Sequence, residues 1–270
     1  MKIARIVTAL TWLSVFCFAI SAADARPVSD PANPHNLSFA ATHGRTQATD
    51  DSQPGATEIC IFCHTPHSAS KQGALWNRKD PALLGAFPLY DSGSLKIKNI
   101  DAAQYNTTAD YPNGASKLCL SCHDGVTGIG TLLDRELSMN HETMADVTPT
   151  ATFDPVIDLS LTHPVSFFYT TEVRDAIIAA GKPGFKLPTD PLRDSQERVQ
   201  CTTCHNPHDD RSELSYLGTP LPPFWRLDDT TTDPYVKLCN QCHGTYGKLP
   251  GDHRSEERRV GKECRSRWAP

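Results

Sequence analysis

Apolar residues form only one long run in this chain, and it lies at the very start. Lys2 and Arg5 precede a mostly apolar stretch from Ile6 to Ile20, and small residues follow, ending Ala23-Asp24-Ala25. A basic start, an apolar middle and a small-residue end predict a secretory signal peptide over residues 1–25, cleaved after Ala25. A membrane anchor is the competing reading, but the run falls short of the ~20 residues that a span needs. Lipidation at Cys17 is disfavoured, because bulky Phe16 stands before it where a lipid-attachment box wants a small residue. Export without a transmembrane span is the expectation.

Past residue 25 no long amphipathic period appears. The chain has 21 prolines and 16 glycines, which break helices and strands alike. The clearest helix is predicted over about Glu172 to Ala180, capped by Thr171 and stopped by Gly181 and Pro183. Extended stretches are expected around Val156 to Phe168. The fold class read from this pattern is mostly irregular and loop-rich, with short α-helices.

Charge changes the picture only after the two ends are set aside. Residues 254–270 read RSEERRVGKECRSRWAP, and the string closely resembles a sequencing adapter translated as coding sequence. A basic solvated tail is the alternative. On the adapter reading the natural ending differs, and no binding role attaches to those arginines. The whole chain carries −5; the leader contributes +1 and the tail +3, so residues 26–253 carry −9. A nucleic-acid binder would normally show the opposite sign.

The cysteines carry the chemistry. Of ten, Cys17 and Cys264 fall in the two ends, and the other eight form four Cys-x-x-Cys pairs. These pairs are CIFCH (Cys60, Cys63, His64), CLSCH (Cys119, Cys122, His123), CTTCH (Cys201, Cys204, His205) and CNQCH (Cys239, Cys242, His243). Disulfides in an exported chain or zinc sites could use such pairs, but neither requires histidine directly after every second cysteine. Cys-x-x-Cys-His is the attachment signature of c-type haem. Two thiols add across the two vinyl groups of the porphyrin, and the adjacent imidazole binds the iron. Four covalent haems c are therefore expected, with His64, His123, His205 and His243 as proximal ligands. Residues 26–253 would give each haem about 57 residues, few enough that the porphyrins themselves would act as core.

Closing four irons takes four more ligands. After Met1 only Met139 and Met144 could serve as methionine ligands, whereas seven of the eleven histidines remain. An internal repeat selects among them. His35-Asn36-Leu37-Ser38-Phe39 matches His163-Pro164-Val165-Ser166-Phe167. CIFCHTPH (60–67) matches CTTCHNPH (201–208), and Lys-Leu-Cys recurs at 117–119 and 237–239. Trp76 with Arg78 and Asp80 matches Trp225 with Arg226 and Asp228 less strongly. Two dihaem modules follow, over residues 26–145 and 146–253, and the recurring histidines His35, His67, His163 and His208 are the expected distal ligands. His43, His141 and His253 have no counterpart, and His43 is the nearest substitute. His67 cannot easily reach the iron held by His64, whose haem is pinned by its own thioethers. Three residues span at most ~10–11 Å, and Pro66 disfavours helix at Thr65, so His67 is expected to serve a neighbouring haem.

PHNLS (34–38), CIFCHTPH, LWNR (75–78), SKLCLSCHDG (116–125), HPVSF and CHNPH resemble the multihaem c-type cytochromes with a doubled CxxCH motif. Such proteins occur in metal-reducing and other anaerobically respiring bacteria. The resemblance implies an exported, periplasmic or cell-surface tetrahaem electron carrier rather than an enzyme, with no catalytic residues. Its implied partners are other redox proteins as donors and acceptors, and an extracellular metal acceptor. Some tetrahaem members assemble into extracellular filaments with a histidine crossing between subunits, a role that His35 on its proline-rich arm would fit here. The alternative function is a multihaem reductase of a small nitrogen or sulfur oxyanion, which needs one iron with an open position.

Overall fold

The computed structural model describes residues 25–71, 73, 75–90, 111–149, 156–181, 183–189, 192–216, 219–226 and 234–244. The expected leader up to residue 24, the tail at 254–270, Asp228 and His253 lie outside these residues. The described chain is loop-rich, with a few short helices and three two-stranded antiparallel ribbons, as its prolines and glycines predict.

Each ribbon is two residues long. β1 (Arg26–Pro27) pairs with β4 (Asp209–Asp210), β2 (Phe167–Phe168) with β3 (Arg198–Val199), and β5 (Ser215–Tyr216) with β6 (Thr219–Pro220). The extended stretch expected over Val156 to Phe168 is correct only at its end. Before it, the Asp158 carboxylate accepts from the Ser160 amide and hydroxyl at 2.9 and 2.6 Å, and Leu161 N donates to the Asp158 carbonyl. That local turn captures backbone groups a strand would need.

Helix α1 (Gly114–His123) carries CLSCH as its last turn and ends where Asp124 and Gly125, at φ 82°, turn the chain away. It was not anticipated from the sequence. Helix α2 (Thr171–Ala179) lies one residue earlier than expected, because Thr170 rather than Thr171 is the cap: its hydroxyl accepts from Val173 N. Gly181, at φ 85°, follows the end as expected. Helices α3 (Cys201–Cys204) and α4 (Pro234–Cys239) are single turns or little more.

Among the described residues, four small apolar clusters stand in place of a single core. The largest gathers Leu37, Phe62, Ile129, Leu132, Leu137 and Met144, and the next packs α2 through Val173 and Ile177 against Phe167, Tyr169 and Val199. Between the repeats, apolar contacts of Tyr111 with Phe167 and Tyr169, and of Phe87 and Leu120 with Leu159, are joined by a polar network. Gln200 is 2% exposed; its carboxamide oxygen accepts from Ser116 N, Ser116 Oγ and Ser166 Oγ, and its nitrogen donates to Asp194. Ser116 Oγ in turn accepts from Cys201 N, tying the start of α1 to the start of α3. With β1 on β4 as well, the two sequence repeats interlock.

Candidate functional site

All four Cys-x-x-Cys-His elements fold as one helical turn. His64 N donates to Cys60 O at 2.7 Å, His205 N to Cys201 O at 3.0 Å and His243 N to Cys239 O at 2.8 Å, while Cys119 to His123 closes α1. Side chains at i, i+3 and i+4 share one helix face. The spacing thus aims two thiols and one imidazole in the same direction. The eight cysteines form no disulfide. Burial pushes the Cys63 thiol up to about 12 and the Cys242 thiol up to about 11, and Cys119 is raised by its hydrogen bond with Cys201 and by burial.

The repeat puts a matching frame around His64 and His205. Thr65 N donates to Leu75 O at 2.8 Å, and Asn206 N to Phe224 O at 2.7 Å. Asn77 N donates to Cys63 O at 2.9 Å, and Arg226 N to Cys204 O at 2.8 Å. Leu75 and Phe224 both have positive φ, 57° and 59°. Each swings the next residue, Trp76 or Trp225, edge-on to its histidine, with ring centroids 5.6 and 6.0 Å apart. Arg226 therefore corresponds to Asn77, not to Arg78 as the sequence match had it: Asn77 Nδ2 donates to Ile61 O and Arg226 Nη1 to Thr202 O, the residue after the first cysteine in each case.

Distal candidates meet proximal ones in three places. His35 and His123 have ring centroids 6.1 Å apart, His64 and His208 6.3 Å, and His163 and His243 6.3 Å. A metal–imidazole bond is about 2 Å and the ring centroid lies about 1.1 Å beyond the nitrogen. Two imidazoles on opposite sides of one metal therefore have centroids about 6 Å apart. Rotation about that axis changes the interplanar angle but not the separation, so 56°, 17° and 90° all fit.

Backbone carbonyls fix the tautomers. His35 Nδ1 donates to Pro207 O at 2.9 Å, His163 Nδ1 to Pro164 O at 2.8 Å and His205 Nδ1 to Pro223 O at 3.0 Å. A carbonyl only accepts, so Nδ1 carries the proton and Nε2 keeps its lone pair for a metal. Desolvation by the surrounding protein lowers His35 and His243 to about 4, each helped by its facing histidine, and keeps both neutral. His67 is exposed, and no described imidazole faces His205 in this way. His43 is otherwise engaged, its Nε2 bonded to Asn36 O at 2.9 Å.

Among the described residues no group of three or more His, Cys, Asp and Glu side chains could hold a metal ion by itself. Paired imidazoles complete a site when something else supplies the equatorial donors, as a porphyrin does. Trp76 Nε1 is buried beside His64 without a hydrogen-bond partner, and a carboxylate-bearing group bound there would provide an acceptor. The residues present fit haem.

Sequence reasoning missed Arg78 as a structural residue. It is fully buried and donates to the carbonyls of Ser121, Gly128 and Ile129, clamping the end of α1 that presents His123. Among the described residues no helix is long and apolar enough to cross a membrane. The chain matches no protein-family model, and no curated protein is found to be similar to it, so what it does has to be argued from its own residues.

Proposed function

We propose that this protein is an exported tetrahaem c-type cytochrome that carries electrons between redox partners in anaerobic or extracellular respiration. The observation that carries the reading is the meeting of three proximal histidines with three distal ones at 6.1–6.3 Å, each proximal partner closing a Cys-x-x-Cys-His turn. Haem supplies the one-electron chemistry of its iron. The chain's part is to hold it: Cys60, Cys63, Cys119, Cys122, Cys201, Cys204, Cys239 and Cys242 as thioether donors, and the histidine pairs as axial ligands. Histidine at both axial positions favours a lower potential than methionine at one. His35 already faces His123 of its own chain, which favours a carrier complete in one subunit over a filament built by donating His35 to a neighbour.

One observation favours the second reading, a reductase of a small nitrogen or sulfur oxyanion: no described imidazole faces His205. Carbon monoxide separates the two. The reduced, fully matured protein is expected to have four haems by intact mass and to bind negligible carbon monoxide. Stoichiometric binding at one iron would favour the reductase, and fewer than four haems after expression with complete haem-maturation machinery would count against both.

A further inference from the structure

We infer that Asp210 and Asn33 are positioning residues that hold two distal ligands, His35 and His208, as one unit, so that the arm over residues 26–35 sets the axial geometry of two haems together and leaves a third alone. The inference rests on the tetrahaem reading and deepens it, because it assigns the residues that orient the ligands.

One peptide carbonyl links the two ligands. His35 Nδ1 donates at 2.9 Å to Pro207 O, in the peptide unit that leads into His208, and Val28 N donates at 2.7 Å to His208 O. Both peptide units flanking His208 are therefore held by the arm that carries His35. His35 faces His123, and His208 faces His64. A ligating imidazole takes its ring orientation and part of its basicity from the hydrogen bond at its other nitrogen. A shift of the Pro207 carbonyl is thus felt at both irons.

Asp210 and Asn33 keep the arm in place, and both are 0% exposed. One Asp210 carboxylate oxygen accepts from Arg26 Nη2 at 2.5 Å and Ser212 Oγ at 2.8 Å. The other accepts from the backbone amides of Ser212 at 3.1 Å and Phe224 at 3.3 Å. Phe224 in turn stacks on His35, with ring centroids 4.0 Å apart and planes at 17°. Asn33 joins the two ends of the arm: its Nδ2 donates to Arg26 O at 2.7 Å, and its Oδ1 accepts from His35 N at 2.8 Å. A buried carboxylate stripped of its partners is strongly disfavoured. That cost favours one register for the arm, with Arg26 opposite Asp210 and Pro27 opposite Asp209. The second repeat differs. His163 Nδ1 donates to the carbonyl of the next residue, Pro164, so its ring is set within its own segment.

The test is electron paramagnetic resonance of the oxidised, fully matured protein, with a potentiometric titration beside it. Near-parallel imidazole planes split the iron d orbitals that overlap them, whereas perpendicular planes leave those orbitals nearly degenerate. Pairs at 17°, 56° and 90° therefore give separate low-spin signals. Three-haem variants, each with one cysteine pair changed to serine, assign every signal by its loss. Asp210→Ala should keep four haems by mass and shift the signals and potentials of the His64–His208 and His35–His123 haems together. The His163–His243 signal should stay in place. Asn33→Ala leaves the Arg26–Asp210 pair intact and should shift the same two signals; it carries the test if Asp210→Ala fails to accumulate. No shift, a shift of one signal alone, or an equal shift of the His163–His243 signal would overturn the inference while leaving four haems attached. Fewer than four haems in the parent protein would instead refute the tetrahaem reading, and the inference with it.

Discussion

The imidazoles of His64 and His208 lie with ring centroids 6.3 Å apart and planes 17° from parallel, although they belong to different repeats of the chain. One closes a Cys-x-x-Cys-His turn and the other stands three residues beyond such a turn. The pair therefore joins the two halves at a point where each half alone would be incomplete.

Removing a distal histidine should open one identifiable iron. His208→Ala is expected to expose the iron held by His64, His35→Ala that held by His123, and His163→Ala that held by His243. Each variant should show one high-spin, carbon-monoxide-binding haem, and His141→Ala none. Open iron in His141→Ala with none in His208→Ala would refute the pairing.

Haem content should fall one step at a time. Replacing both cysteines of any one pair is expected to lower the intact mass by one haem and leave three attached. Loss of more than one haem from a single pair would mean that attachment is cooperative rather than local to each turn.

Arg78 should matter for stability out of proportion to its distance from any thioether. Arg78→Met withdraws the donor from the buried carbonyls of Ser121 and Ile129 and from the half-buried one of Gly128. An unsatisfied buried acceptor costs ~1–3 kcal/mol, so a loss of about 3 kcal/mol or more is expected in a urea titration. Arg78→Lys should recover only part of it, because an ammonium cannot reproduce the planar fork of donors.

Gln200→Leu should loosen the junction between the repeats. Its amide joins Ser116, Ser166 and Asp194, and removing it takes the acceptor from the buried Ser116 amide and hydroxyl, whereas Ser166 Oγ keeps Asn113 and Asp194 keeps Arg198. A stability loss of about 1–3 kcal/mol is expected, with all four haems retained. An unchanged melting temperature would show that water replaces the amide without cost.

The same network predicts an acid limb. Burial works to raise the Asp194 pKa, but hydrogen bonds from Arg198, Gln200 and Gln196 outweigh it and hold the carboxyl below its ordinary value of 3.8. A depressed folded-state pKa contributes stability above the unfolded value and loses it as pH falls through the folded one. Stability should therefore drop below about pH 4, and Asp194→Asn should flatten that limb. Thermal melts between neutral pH and pH 2 would show whether the two curves converge.

What the sequence determined by itself was everything a single turn or a repeat can encode. The Cys-x-x-Cys-His spacing closes an i to i+4 turn with local hydrogen bonds, so four aligned sets of two thiols and one imidazole were readable before any fold was known. The repeat picked out His35, His67, His163 and His208, and three of these four meet a proximal histidine in the structure. The helix ending at Gly181 was legible for the same reason, and the one-residue shift of its cap came from two adjacent threonines that differ only in backbone conformation. Tertiary structure decided which histidine faces which. That choice depends on how α1 lies on α3 and how β1 lies on β4, contacts between residues far apart in the chain that no local pattern contains. It also decided the register of the tryptophans, because Asn77 and Arg226 use unlike side chains to reach the same carbonyl position. Arg78 belongs to the same class. Its burial follows from three carbonyls converging on one point, and convergence is a property of packing that spacing along a chain does not express.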